Sequence, residues 1–150
     1  MPQLPFGTQL VGQTENAFGA ILDRELAGTA LSRDRWVALT VVVMSGGSTP
    51  RSQLVARVSG ALKLDPGAVQ EAIAALLEAG LLEASDGATP VVSATSAGRG
   101  LQTRVRTTVG DITARLWGDI PSADLDVAAR VLNTVLERAD AELDGARSCE

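Results

Sequence analysis

Apolar positions recur at a helical period along most of this chain. Between residues 8 and 27, Leu10, Val11, Thr14, Ala17, Phe18, Ile21 and Leu22 share one face, and Gly28 supplies a stop. A second run, 33–45, has Ser32 as N-cap, Asp34 in its first turn and Gly46-Gly47 behind it. Within it, Thr40-Val41-Val42-Val43 favours a strand by propensity. The cap, the glycine pair and a length of about three turns point instead to a buried helix.

Thr49-Pro50 reads as N-cap and first helical residue of a short helix carrying Leu54, Val55 and Val58, with Gly60 as the place where it breaks. Asp65-Pro66 opens the next helix, 66–79, whose face is Val69, Ile73, Leu76 and Leu77 and whose stop is Gly80. "LLEASDGATPVVSAT" holds Asp86-Gly87, a hairpin-turn dipeptide, between two short apolar pieces. Pro90 restricts the second piece to an edge position. Thr95 or Ser96 then caps a long helix with Leu101, Val105, Val109, Ile112 and Leu116 on one face. After a break at Gly118-Asp119, Pro121 starts a last helix with a stripe from Leu125 through Leu132 and Leu136 to Leu143. The expected fold is mostly α with a small β-hairpin wing.

Composition narrows the picture. A chain of 150 residues that is 45% hydrophobic and 21% charged is a globular chain, read here as a single domain over 1–150. Aromatics make up only 3%, so the core is aliphatic. The net charge of −5 is unevenly spread: residues 1–63 carry +2, 64–98 carry −5, 99–120 carry +2 and 121–150 carry −4. An acidic chain lacks the usual footprint of a nucleic-acid protein, yet only the local patch meets phosphates. The start, "MPQLPFGTQL", has no secretion-signal pattern, and "WVALTVVVM" is too short to span a bilayer. No membrane association and a cytoplasmic location are the expectation.

Catalytic readings find little support. Histidine, the commonest general base and metal ligand, is absent. Cys149, the only cysteine, sits one residue from the end and forms no internal disulfide. Asp140, Glu142, Asp144 and Gly145 mimic the opening of a calcium loop, but the bidentate Glu would fall beyond the chain end and the segment continues a helical stripe. The Gly46-Gly47 and Gly98/Gly100 pairs lack the strand-before-helix setting of a phosphate loop. Neither an enzyme nor a cofactor or metal is expected.

Two helices joined by a short link and followed by a hairpin form a winged helix-turn-helix. At this point the chain resembles the MarR family of bacterial transcription regulators, through "LSRDRWVALTVVV", "TPRSQLVARV", "DPGAVQEAIAALLEAGLLE" and "VSATSAGRGLQTRV". In the last of these a wing strand ending in Thr is followed by Gly-Arg entering a long helix. The resemblance implies a winged-helix lobe over 32–94 and a homodimer built by N- and C-terminal dimerisation helices over 4–28 and 95–145. The Leu125–Leu143 stripe independently asks for a covering surface, from the 8–27 helix or from a second subunit.

The family's recognition helix is here 66–79, where Gln70 is the one obvious reader, of adenine. The wing "EASDGATP" carries no arginine, unlike family wings. Arg51, Ser52, Lys63 and Arg99 are left to hold the phosphates of double-stranded DNA, while Arg57 and Arg104 read equally well as solvated surface charges. Trp36 and Trp117 read first as core residues. The family's habit of binding small lipophilic effectors gives the alternative, a pocket lined by Phe18, Trp36, Met44 and Trp117 with Arg35 or Arg115 as polar anchor. The resulting expectation is a DNA-binding transcriptional regulator, a dimer on a palindromic operator released by an effector. Its rival is the same dimeric scaffold without DNA binding, serving ligand or protein interaction. The acidic stretch 64–98 favours that rival and would also suit a basic partner protein.

Overall fold

The computed structural model describes residues 2–148, so Cys149 lies outside the described residues. Among them are six helices: α1 (Thr8–Leu26), α2 (Arg33–Met44), α3 (Arg51–Leu62), α4 (Pro66–Glu78), α5 (Ser96–Trp117) and α6 (Ser122–Arg147). Three short strands, β1 (Ser48–Pro50), β2 (Leu82–Ala84) and β3 (Val91–Ala94), form one antiparallel sheet in the order β1-β3-β2. The chain divides into two compact units, one running through Gly110 and the other beginning at Asp111, inside α5.

The first unit is organised around α2, which packs against α1, α3, α4, β1 and β3. Leu39 and Val42 of α2 meet Leu54 and Val58 of α3, Val69, Ile73 and Leu76 of α4, and Val92 of β3, all fully buried. Burying each such side chain stabilises the fold by about 1.5–3 kcal/mol. A helix covered on several sides needs no polar face, which is why the Thr40–Val43 run is helical against its propensity. At α1 the large apolar side chains are buried only toward the C-terminal end. Leu26 is buried and Leu22 packs on the core, whereas Val11 and Phe18 remain exposed.

Local chemistry explains the boundaries. The Asp65 carboxylate accepts from the Gly67 amide at 2.9 Å, and Pro66 occupies the first helical position of α4. At the other end Gly80 adopts φ 73°, while the Leu81 amide donates to the Leu76 carbonyl and the Gly80 amide to the Leu77 carbonyl. This paired closure satisfies carbonyls the last turn leaves open. The Thr95 hydroxyl accepts from the Gly98 amide at 3.0 Å and donates to the Gly80 carbonyl at 2.7 Å, so one side chain caps α5 and ties it to the end of α4.

Four sequence expectations need correction. Thr49 and Pro50 belong to β1, and α3 starts at Arg51 with Pro50 at the cap position, because β1 pairs with β3 through Thr49 and Val92. The piece after Pro90 is the central strand rather than an edge, since Pro90 stops just short of the ladder and costs it no donor. Gly60 does not break α3, which runs on to Leu62 and ends at Lys63 in the left-handed conformation. The link between β2 and β3 is also longer than a two-residue turn: the Ser85 amide donates to the Val91 carbonyl, and the Val91 amide to the Ser85 hydroxyl.

In the second unit α6 runs unbroken through Asp140–Gly145, so the segment with calcium-loop spacing is helix. No described residue of α6 is buried; Val127, Val131, Leu132, Val135, Leu136 and Leu143 are all exposed. Among the described residues, no helix is long and apolar enough to cross a membrane.

Candidate nucleic-acid interface

The five residues expected to meet DNA all fall in the first unit. Arg51 opens α3. Its backbone amide donates to the Pro90 carbonyl at 2.9 Å, and its Nε donates to Oε1 of Gln70 at 2.9 Å. Gln70 lies in the second turn of α4 on the solvent side, which also exposes Gly67, Glu71, Ala74 and Glu78. The opposite face of α4 supplies Val69, Ala72, Ile73 and Leu76 to the core, and this burial fixes which side chains look outward. Ser52 is exposed in the first turn of α3, and Lys63 is exposed at its C-terminus.

Arg99 belongs to the first turn of α5. Its guanidinium lies over Gly47, where an added Cβ would stand 2.9 Å from Nη2, so it sits beside the α2–β1 turn. Gly47 holds φ 96°, a left-handed conformation that suits glycine. Arg57 reaches the same end of α2 and donates from Nη1 to the Ser45 hydroxyl at 2.8 Å. A cation at a helix C-terminus is favoured by the helix dipole, which accounts for both placements. The Arg51–Gln70 and Arg57–Ser45 pairs span 19 and 12 residues of sequence, and no local motif announces either.

The residues expected to line an effector pocket differ in their surroundings. Trp36 packs against the core, whereas Phe18 is 42%, Met44 61% and Trp117 39% exposed. A cleft of about 230 Å³ in the first unit is lined instead by Glu25, Thr29, Leu101, Arg104, Val105 and Thr108. Its walls pair an acid with a base and two hydroxyls. Arg24 holds Glu25 from outside the cleft, Nη2 to Oε1 at 2.8 Å. On α5, Gln102 is 1% exposed with its Nε2 unpaired, a buried polar group that no periodicity reveals.

The α1–α2 junction carries the clearest electrostatic feature. Arg33 donates from Nε to Asp23 Oδ1 at 2.8 Å and from Nη2 to Oδ2 at 2.6 Å. The fork geometry matches a carboxylate and holds the Asp23 carboxyl below its ordinary value, mainly through the hydrogen bond. Gly19 leaves room for this arrangement, since a Cβ there would collide with the Arg33 guanidinium.

A short β1, a helix pair α3–α4 and the β2–β3 hairpin leading into α5 define a winged helix-turn-helix protein. Solved structures sharpen that assignment: the fold is that of the MarR-family transcriptional regulators. A MarR-family regulator from Silicibacter pomeroyi DSS superposes with a TM-score of 0.73 at 17% identity, covering 92% of this chain and 98% of the other. CouR from Rhodococcus jostii RHA1, solved bound to p-coumaroyl-CoA, gives 0.72 at 18% identity, covering 84% and 88%. MarR from E. coli in its oxidized form gives 0.66 at 18% identity, covering 90% and 96%. Neither protein-family models nor curated proteins match the sequence.

Proposed function

We propose that this protein is a DNA-binding transcriptional regulator of the MarR type, acting as a homodimer on a palindromic operator. The observation that carries this reading is the Arg51–Gln70 contact: it draws the positive start of α3 to the solvent face of α4, the helix such a fold lays in a major groove. Arg51, Ser52, Lys63 and Arg99 would meet phosphates around that groove. With so few cations, binding is weak and only moderately sensitive to salt.

The apolar exposed side of α6 supports self-association, as does the exposed part of α1 with Val11 and Phe18. An effector would act by favouring one of two arrangements that differ in affinity for the operator. The cleft beside Arg104 supports a small ligand with both polar and apolar parts in the first unit.

A second reading has its own support. The exposed side of α4 also carries Glu71 and Glu78, and the residues around it, 64–98, sum to −5. Such a surface repels phosphates and suits a scaffold that binds a ligand or a basic protein instead. Recovery of sheared genomic DNA on the purified protein, sequenced after washing at low salt and at about 150 mM, separates the two. A palindromic site that survives the higher salt is the expected result. Random fragments lost with salt, or no DNA, would leave the scaffold reading standing.

A further inference from the structure

We infer that Arg51 and Gln70 act as one unit in which Arg51 orients the Gln70 amide so that its NH2 donors face the base, and that it selects guanine where sequence alone suggested adenine. The inference rests on the DNA-binding reading above and names what that site recognises.

The orientation of the Gln70 amide follows from chemistry. Arginine has donors and no acceptor, so the group facing Arg51 Nε must be the amide oxygen, here 2.9 Å away. The oxygen is thereby turned toward α3. What remains to face a base edge is the Gln70 NH2 with two donors, while the terminal nitrogens of Arg51 keep their donors for a phosphate. In the major groove guanine presents two acceptors, N7 and O6, whereas adenine presents N7 beside the N6 donor. A bidentate amide on adenine needs Oε1 turned to that N6 group. Here Oε1 already accepts from Arg51, so its second lone pair would have to reach N6 while the oxygen stays turned to α3, whereas the two NH2 donors meet guanine N7 and O6 as built.

The unit is also held in place before any ligand arrives. Arg51 is half-buried, its backbone amide is fixed by Pro90, and its side chain is fixed by Gln70. Ordering a side chain in advance lowers the cost of using it in recognition. The two residues thus supply charge and direction together.

The test selects binding sites from randomised duplex DNA with the full-length protein, then measures affinity for the best site and its single-base variants. The expected site holds a guanine in each half whose replacement by adenine weakens binding about tenfold. Placing 7-deazaguanine there removes the N7 acceptor without altering the protein, and should weaken binding similarly. Gln70→Ala and Arg51→Ala should each erase the guanine preference, and the double variant should erase no more. Adenine at the Gln70-dependent position would overturn the inference while leaving DNA binding intact. Additive losses in the double variant would show two independent readers and overturn it as well. No enriched sequence from a chain whose circular dichroism shows the helical fold would sink the DNA-binding reading, and this inference with it.

Discussion

Gly98 stands against the backbone of Leu81: a Cβ on residue 98 would lie 2.1 Å from the Leu81 carbonyl oxygen. That oxygen already accepts from the Thr95 amide at 3.1 Å, so it cannot move aside without loosening the start of α5. Gly98→Ala forces backbone apart and should cost about 1–3 kcal/mol. Chemical denaturation followed by circular dichroism reads the change, and an unchanged midpoint would mean that the contact relaxes freely. The Thr-then-Gly-Arg pattern in the sequence thus has a steric cause at its glycine.

A pH effect follows from the α1–α2 junction. The hydrogen bond from Arg33 keeps the Asp23 carboxyl below its ordinary value of 3.8, so the folded chain holds this proton less tightly than the unfolded chain. Its contribution to stability is present above about pH 4 and fades as pH falls through the lowered value. Asp23→Asn should therefore melt below wild type near neutral pH, with the gap closing toward about pH 3. Both side chains are largely exposed, so the gap is small and shrinks in high salt. A gap that stays constant across the acid range would show that the pair is not its source.

At the proposed interface, Arg51→Glu replaces the cation that Gln70 holds with an anion. Operator affinity should fall by at least about tenfold, and the salt dependence should drop by roughly one phosphate contact. Light scattering should still report a dimer. Undiminished binding would remove Arg51 from the interface.

The exposed side of α6 makes the opposite prediction. Leu136 is 54% exposed in a helix with no buried residue, which fits a surface awaiting a second copy. Leu136→Glu should shift the protein toward monomer at micromolar concentration while the far-ultraviolet spectrum keeps its helical form. A wild type that is already monomeric would dispose of the homodimer.

Much of this architecture was legible in the residues because its signals are local. Asp65-Pro66, Gly80 and Thr95 mark helix ends through contacts within a few positions, and each performs its expected role. β1 was not legible. A three-residue strand ending in Pro50 has no periodicity, and it exists because β3 pairs with it from more than forty residues away. Gly60 misled for the complementary reason, as Val58 and Leu62 pack on either side and hold α3 together through it. At the candidate site the residue types were readable, but their grouping was not. Sequence does not announce that the Arg99 guanidinium lies over Gly47, and Arg51 and Gln70 meet only when α3 and α4 are folded.

The placement of α2 has a consequence for the chain before it folds. "WVALTVVVM", 36–44, is an uncharged run rich in β-branched residues, with no proline among them. Segments of that kind pair readily with their own copies as stacked strands. What keeps this one helical is the cover given by its neighbours, which the nascent or unfolded chain does not yet have. The same residues that centre the finished core are therefore the chain's main aggregation hazard. Changes that slow the docking of α3 and α4 will be felt as insolubility before they are felt as lost function.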